Sequence, residues 1–498
     1  MEKTSKWKAL LSDDKDRILD INGLRNGAPF TKKSLITIIV CIAAFLLLRQ
    51  LPLSEYGEKT STALAMVVVT IIALIFLNVN FIVPAIFLTV AGIFLGLWDY
   101  EVVKATIGSS PFVMMFGMMI VGLGCEYTPM GKRIAYLMLK KFGRKPATLV
   151  IAIGIVTCWL SAFISNNAVI VMMSSITAAM LAEMGQIPGQ SKLGRAIMIC
   201  VSAASMIGGC ALINGTPIGN GLGISLLTQA TGAQAITYAQ WAAVGVPAVL
   251  IVMIPMGIIY NKFYGVKNKD FDLDSLPETE VYAQKLKELG KLTGSEIRWI
   301  LTVIGMVACM IAGMNMSVAA LLWAVVAMAP LVGTVPSNKV LSKLPWTIII
   351  AAMFIPIMGQ CFSTHGLGKL VMHYVGPIFG NLGPFAFCFI ACLFQGIICN
   401  CFIGASMAAQ ALGIGLMGPI CAGLGLNPTI IMLPVLMINS CFFIFGFNVS
   451  MMINKGYGYW ETKDPTAPGI VLLVVCAVVF SVVACIVGPL VGLPLTLA

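Results

Sequence analysis

Charge is what this chain has least of. Lysine, arginine, aspartate and glutamate make up only 10% of its 498 residues, against about 25% in ordinary soluble domains. From position 374 to 454 there is no Lys, Arg, Asp, Glu or His at all, and between 146 and 261 only Glu183, Lys192 and Arg195 are charged. Stretches of this length exclude an ordinary water-facing fold. Histidine is confined to His365 and His373, read as loop residues facing water. That leaves no nucleophile–base pair and no His/carboxylate cluster for intramembrane catalysis, so an enzyme is not expected. No CxxC pair occurs among the 15 cysteines, and most sit inside apolar runs, as at Cys41, Cys158, Cys200, Cys210, Cys388 and Cys392. There a free thiol behaves as a small apolar side chain, which argues against a disulfide scaffold and a zinc site. About thirty hydrophilic residues precede the first apolar run, so no cleavable leader is expected.

What the chain has instead is apolar length. It is 59% hydrophobic, and the first runs, at about 34–51, 61–78, 80–98 and 109–127, each approach the roughly 20 residues a bilayer crossing needs. The net charge of +11 would suggest nucleic acid in a soluble protein. Here the basic residues gather in loops, including Lys132, Arg133, Lys140, Lys141, Arg144 and Lys145, and the positive-inside rule accounts for them without a nucleic-acid partner. Glu126 falls at the end of the fourth run and is expected at a water-accessible margin.

Two apolar runs carry polar residues at their centres. Ser165-Asn166-Asn167 interrupts about 147–184, and Cys399-Asn400-Cys401 interrupts about 383–418; mid-membrane backbone needs partners, and a re-entrant hairpin of two half-helices meeting at a polar tip supplies them. The loop charges open the two hairpins from opposite faces. Breaks follow each tip, at Asn214-Gly215-Thr216-Pro217-Ile218-Gly219-Asn220 and at Gly446-Phe447-Asn448-Val449-Ser450, where glycine and proline loosen a helix. The expected fold is an all-α integral membrane protein of about eleven transmembrane helices plus two re-entrant helical hairpins in two inverted repeats. Its divisions are a cytoplasmic tail (1–33), first scaffold helices (34–146), a first repeat core (147–261), a cytoplasmic linker (262–297), second scaffold helices (298–382) and a second repeat core (383–498). The N-terminus is expected inside and the C-terminus outside.

Without charged groups at the tips, the chemistry falls to hydroxyls, amides, helix N-termini and unwound carbonyls. Half-helix N-termini suit carboxylates or sulfate, and unwound carbonyls with amide oxygens suit a hard monovalent cation such as Na⁺. A bound cation favours an adjacent anion, which is the physical root of symport. A proton antiporter would need membrane-embedded carboxylates. A channel would more plausibly repeat one pore element around an axis than invert two halves.

The stretch Gly122–Ala168 ("GLGCEYTPMGKRIAYLMLKKFGRKPATLVIAIGIVTCWLSAFISNNA") resembles the divalent anion:sodium symporter family of the ion transporter superfamily. "GGCALINGTPIGN" (Gly208–Asn220), "WAAVGVPAVL" and "ELGKLTGSEIRWIL" are similar to the segments that follow in that family. The resemblance implies a scaffold domain and a mobile transport domain, a homodimer, and elevator-like displacement. It also implies a Ser-Asn-Thr motif at each tip, binding substrate carboxylate and sodium. Carried over by position, the expected substrate residues are Ser165, Asn166, Asn167, Thr216, Pro217, Cys399, Asn400 and Cys401. The expected cation residues are Ser165, Asn166, Gly215, Asn220, Asn400, Gly446, Asn448 and Ser450.

The tips depart from the motif. Asn167 stands for threonine in the first, and two cysteines flank Asn400 in the second; a thiol is a poor ligand for a hard cation. The expected function is uptake of a small divalent anion, foremost a C4-dicarboxylate such as succinate, malate or fumarate, across the cytoplasmic membrane. Na⁺ is the expected coupling ion and no organic cofactor is expected. Anion exchange or proton coupling on the same fold, with sulfate or citrate as cargo, is the alternative.

Overall fold

Apolar helices, their caps and their prolines build the molecule. The computed structural model describes residues 32–76, 82–142, 146–267, 279–401, 406–445 and 449–497. Among these it is helical, with one isolated bridge between Leu426 and Thr496. Six of the described helices are long and apolar enough to cross a bilayer, and several shorter apolar helices pack between them.

The first half runs α1 (Lys32–Arg49), α2 (Thr60–Phe76), α3 (Ile82–Phe94), α4 (Tyr100–Ile107), α5 (Ser110–Glu126), and an amphipathic α6 (Met130–Phe142). Then come α7 (Pro146–Phe163), α8 (Asn166–Glu183), α9 (Lys192–Gly208), α10 (Pro217–Thr231) and α11 (Tyr238–Tyr264). A short helix α12 (Thr279–Glu288) lies in the linker and packs on α6. The second half continues as α13 (Gly294–Ile311), α14 (Met316–Met328), α15 (Ser337–Lys343) and α16 (Trp346–Phe354), the last passing through a 3₁₀ turn into α17 (Gly359–Ser363). After α18 (Leu367–Tyr374) and α19 (Gly376–Phe379) come α20 (Pro384–Cys401), α21 (Ser406–Gly423), α22 (Pro428–Ile431), α23 (Leu433–Ile438), α24 (Val449–Lys455) and α25 (Thr466–Leu490). Among the described residues, a long helix, a second helix, an interrupted helical stretch and a long helix follow one another in both halves.

The second break differs from its expected position. Helix ends at Ile438, so the irregular stretch begins at Asn439, upstream of Gly446. Pro434 lies in the first turn of α23 and has no N–H to offer the carbonyl of Ile430, which divides the predicted long span into the short α22 and α23. Gly446 and Asn448 lie outside the described residues, as does the side chain of Ser450.

Small residues set the closest packing. A methyl added to Gly117 of α5 would come within 2.6 Å of the Ala320 backbone of α14, the close helix approach that membrane interiors favour. Leu35, Ile36, Ile39 and Leu47 on α1, and Leu301, Ile304, Val318 and Val325 on α13 and α14, are exposed, as an apolar solvent requires.

Among the polar joints that tie distant parts of the described residues together, an ion pair and an amide are both buried. Arg133 Nε and Nη2 meet the Glu296 carboxylate at 2.8 and 3.0 Å, and the guanidinium also donates to the carbonyl of Gly290 at 2.8 Å. The same carboxylate closes a capping box with Thr293 at the start of α13, and its hydrogen bonds hold the guanidinium pKa above the ordinary range. The second joint is Asn454 of α24, which donates to Ser174 Oγ of α8 at 2.7 Å and accepts from Trp460 Nε1 at 2.8 Å.

Candidate functional site

The turn between α7 and α8 consists of Ile164 and Ser165 alone, so the first tip is tight. Asn166 opens α8, and its side-chain amide lies 2.7 Å from Ser161 Oγ on α7. With its nitrogen toward the carbonyls of Gly215 (3.2 Å) and Ser205 (3.3 Å), its oxygen accepts from the Thr216 hydroxyl at 3.0 Å. Ser205 Oγ on α9 donates to the backbone carbonyl of Asn166 at 2.9 Å. The tip is therefore bonded to the irregular stretch that joins α9 to α10.

Two glycines permit that contact. A methyl on Gly209 would collide with Thr216 Oγ1 and the Asn166 amide, and one on Gly215 would lie 2.7 Å from the carbonyl of Ser161. Asn220 then knots the break from inside, with Nδ2 reaching the carbonyls of Ile213 (3.1 Å), Gly209 and Leu212 (both 3.3 Å). Its Oδ1 is buried without a hydrogen-bond partner. Asn214 is held by Tyr238, whose hydroxyl donates to Oδ1 at 2.6 Å. Hydroxyl, amide and carbonyl oxygens thus converge with no charged side chain among them, a donor set that fits a weakly bound hard monovalent cation better than a transition metal.

The second tip is built differently. Asn400 donates to the carbonyls of Gly396 and Cys441, both at 2.9 Å, and accepts from the Ile444 amide at 2.9 Å, so its side chain braces the second break. Cys399 is buried and lies 2.9 Å from Asn439 Oδ1, whereas Cys401 is exposed.

A cavity of about 460 Å³ opens beside the first tip, a volume in the range of small-molecule sites. Ser165, Asn166, Asn167, Gly215, Thr216 and Pro217 line it from the first core, and Gln410, Asn439 and Ser440 from the second. Leu74 of α2 and Met118 and Leu123 of α5 add apolar surface to the lining. Both α8 and α10 begin at the cavity, so their first-turn amides and positive dipole ends face one space. Pro217, at the first position of α10, fixes the turn without removing a helical hydrogen bond.

The sequence-derived residues separate accordingly. Those of the first tip and first break gather on the cavity wall, with Asn220 behind it. Cys399, Asn400 and Cys401 are not part of the wall; Asn400 instead supports the segment whose Ser440 and Phe442 are. The pocket, expected to lack charge, also receives Glu126 and Lys343 from the ends of α5 and α15, both exposed. Ser161, Gln410, Asn439 and Ser440 were not anticipated. The Asn439-Ser440 pair inside an otherwise apolar run was the available signal, since buried polar groups are retained only with partners.

Residues 64–435 match a family model described as citrate transporter. A sodium-dependent dicarboxylate transporter of Staphylococcus saprophyticus is 26% identical over 207 residues, 39% of this chain and 38% of that protein. Its Staphylococcus aureus counterpart gives 26% over 208 residues, with the same two shares. A transporter of Schizosaccharomyces pombe is 22% identical over 373 residues, 72% of this chain and 41% of the relative. The chain therefore spans well under half the length of these relatives. Among solved structures, the YdaH transporter of Alcanivorax borkumensis aligns with a TM-score of 0.51 at 12% identity, covering 94% of this chain and 100% of that one. The MtrF structure of Neisseria gonorrhoeae aligns with a TM-score of 0.53 at 11% identity, covering 89% and 96%. These structural likenesses concern the fold alone.

Proposed function

Because this chain belongs to the citrate transporter family, a relative of the divalent anion:sodium symporters, we propose that it is a multi-pass secondary transporter carrying a small divalent anion coupled to Na⁺. The carrying observation is one cavity into which two helices, α8 and α10, begin. Their amides suit a carboxylate, and the oxygens of Ser161, Asn166, Gly215 and Thr216 lie beside it for a cation. Neither ligand set carries a full charge. Each bound ion improves the site for the other, and this reciprocity couples the two fluxes.

A C4-dicarboxylate is the preferred cargo, supported by the names of the staphylococcal relatives. Citrate is the second reading, favoured by the family description and by Lys343 on the wall, which offers a countercharge for a third carboxylate. The reading further assigns the chain to the cytoplasmic membrane, N-terminus inside and C-terminus outside, as a homodimer. In it the cores at 147–261 and 383–498 move against scaffolds at 34–146 and 298–382, with the tail at 1–33 and the linker at 262–297 in the cytoplasm. Reconstituted protein should take up labelled succinate faster with an inward Na⁺ gradient, and excess unlabelled dicarboxylate should compete. Uptake indifferent to Na⁺ would reject symport, and competition by citrate alone would reverse the choice of cargo.

A further inference from the structure

One residue of the cavity wall has its orientation fixed by groups that lie behind it. Asn439 directly follows α23, is almost fully buried, and yet lines the cavity. Its Oδ1 lies 2.8 Å from Gln395 Nε2 and 2.9 Å from Cys399 Sγ, both on α20. Which end of the Asn439 amide is left for the cavity therefore depends on which end of Gln395 it meets.

A backbone carbonyl decides that. Gln395 is fully buried, and its Nε2 lies 3.2 Å from the carbonyl of Ala409 on α21. A carbonyl only accepts, so the nitrogen is the end turned toward it; the reversed amide would set two oxygens against each other. The other proton of Nε2 goes to Asn439 Oδ1, and the Cys399 thiol donates to the same oxygen. Gln395 Oε1 points toward Gly413 of α21, where an added methyl would lie 1.5 Å from it. Glycine there leaves the room that this orientation needs.

With two donors on Oδ1, Asn439 has its nitrogen free. Among the described residues Nδ2 meets no acceptor, and it is not one of the sealed atoms that lack a partner, so it opens on the cavity that Asn439 lines. An NH₂ group supplies two protons and no acceptor. It suits an oxyanion oxygen and repels a cation.

The geometry points to Asn439 as a hydrogen-bond donor to a carboxylate of the transported anion, and to Gln395 as the residue that positions it. This rests on the dicarboxylate reading above and deepens it. The second core meets the anion through an uncharged donor whose polarity is set by a buried relay beginning at the Ala409 carbonyl.

The test is uptake of labelled succinate by the reconstituted full chain at saturating Na⁺, read as KM and maximal rate. Beside it runs the thermal stabilisation of the purified protein by NaCl over choline chloride, without succinate. Asn439→Ala removes a donor to a charged group, so KM should rise about tenfold while stabilisation by NaCl stays as in the wild type. Asn439→Asp puts an acceptor where the donor was and should raise KM further still. Gln395→Met keeps the length but frees the Asn439 amide to turn; KM should rise about threefold or more with the maximal rate near that of the wild type. An unchanged KM in Asn439→Ala overturns the inference, as does lost stabilisation by NaCl, which would make Asn439 a cation ligand. An aspartate variant that binds succinate better than the alanine variant overturns it too, and if the aspartate variant does not fold, the alanine variant decides. A Gln395→Met protein that melts earlier but keeps the wild-type KM removes the positioning role. A wild type that takes up no succinate overturns the reading on which this rests, a result separate from any difference between variants.

Discussion

Asn166 carries more of the site than any other single residue. Its amide touches Ser161, Gly215 and Thr216 together, joining hairpin to break. Truncation in Asn166→Ala removes these bonds and leaves partly buried partners unpaired, at about 1–3 kcal/mol per orphaned group. Apparent Na⁺ affinity in uptake titrations should fall by roughly 10-fold or more, while a protein that still elutes as a folded species separates this from collapse. Unchanged Na⁺ affinity would remove Asn166 from the cation set. Asn166 was legible in the sequence because an asparagine inside an apolar run has few bland explanations. Gln395 and Asn439 were not, because their meaning comes from each other across the fold, and no local pattern records that the two amides meet at 2.8 Å.

At the scale of elements, the site is a contact between a hairpin and a broken helix, and glycine makes the contact possible. Gly209→Ala places a methyl onto Thr216 Oγ1 and the Asn166 amide. Because these groups belong to a packed joint, overpacking of about 1–3 kcal/mol is expected. It should appear as a lower thermal transition together with weakened Na⁺ protection, since the same methyl intrudes on the proposed cation site. A stable variant with wild-type Na⁺ protection would mean that the tip and break do not form a unit. The first break was readable because Gly215, Thr216 and Pro217 coincide with the true interruption. In the second half, Gly446 and Asn448 drew the reading downstream, while Pro434 divides α22 from α23 and the helix already ends at Ile438, just before Asn439 and Ser440. Helix breaks inside apolar runs depend on where side chains find partners, which composition alone does not specify.

For the whole molecule, the Arg133–Glu296 pair joins α6, the linker and α13. Arg133→Met leaves a buried carboxylate uncompensated, and such breaks cost about 3–5 kcal/mol. The variant should show a clearly lower melting temperature by differential fluorimetry, whereas Arg133→Met combined with Glu296→Leu should recover much of the loss. Equal damage in single and double variants would mean that the geometry, rather than the stranded charge, matters. The other joint bears on motion. Asn454 clasps Ser174 and Trp460 in one buried triplet, so α8 and α24 are stitched together about two turns along α8 from Asn166. If the proposed carrier shuttles its cargo, the slip surface cannot run through that seam. It then follows the greasy boundary beside Leu74, Met118 and Leu123, whose own side chains hold no hydrogen bond that a stroke would have to unmake.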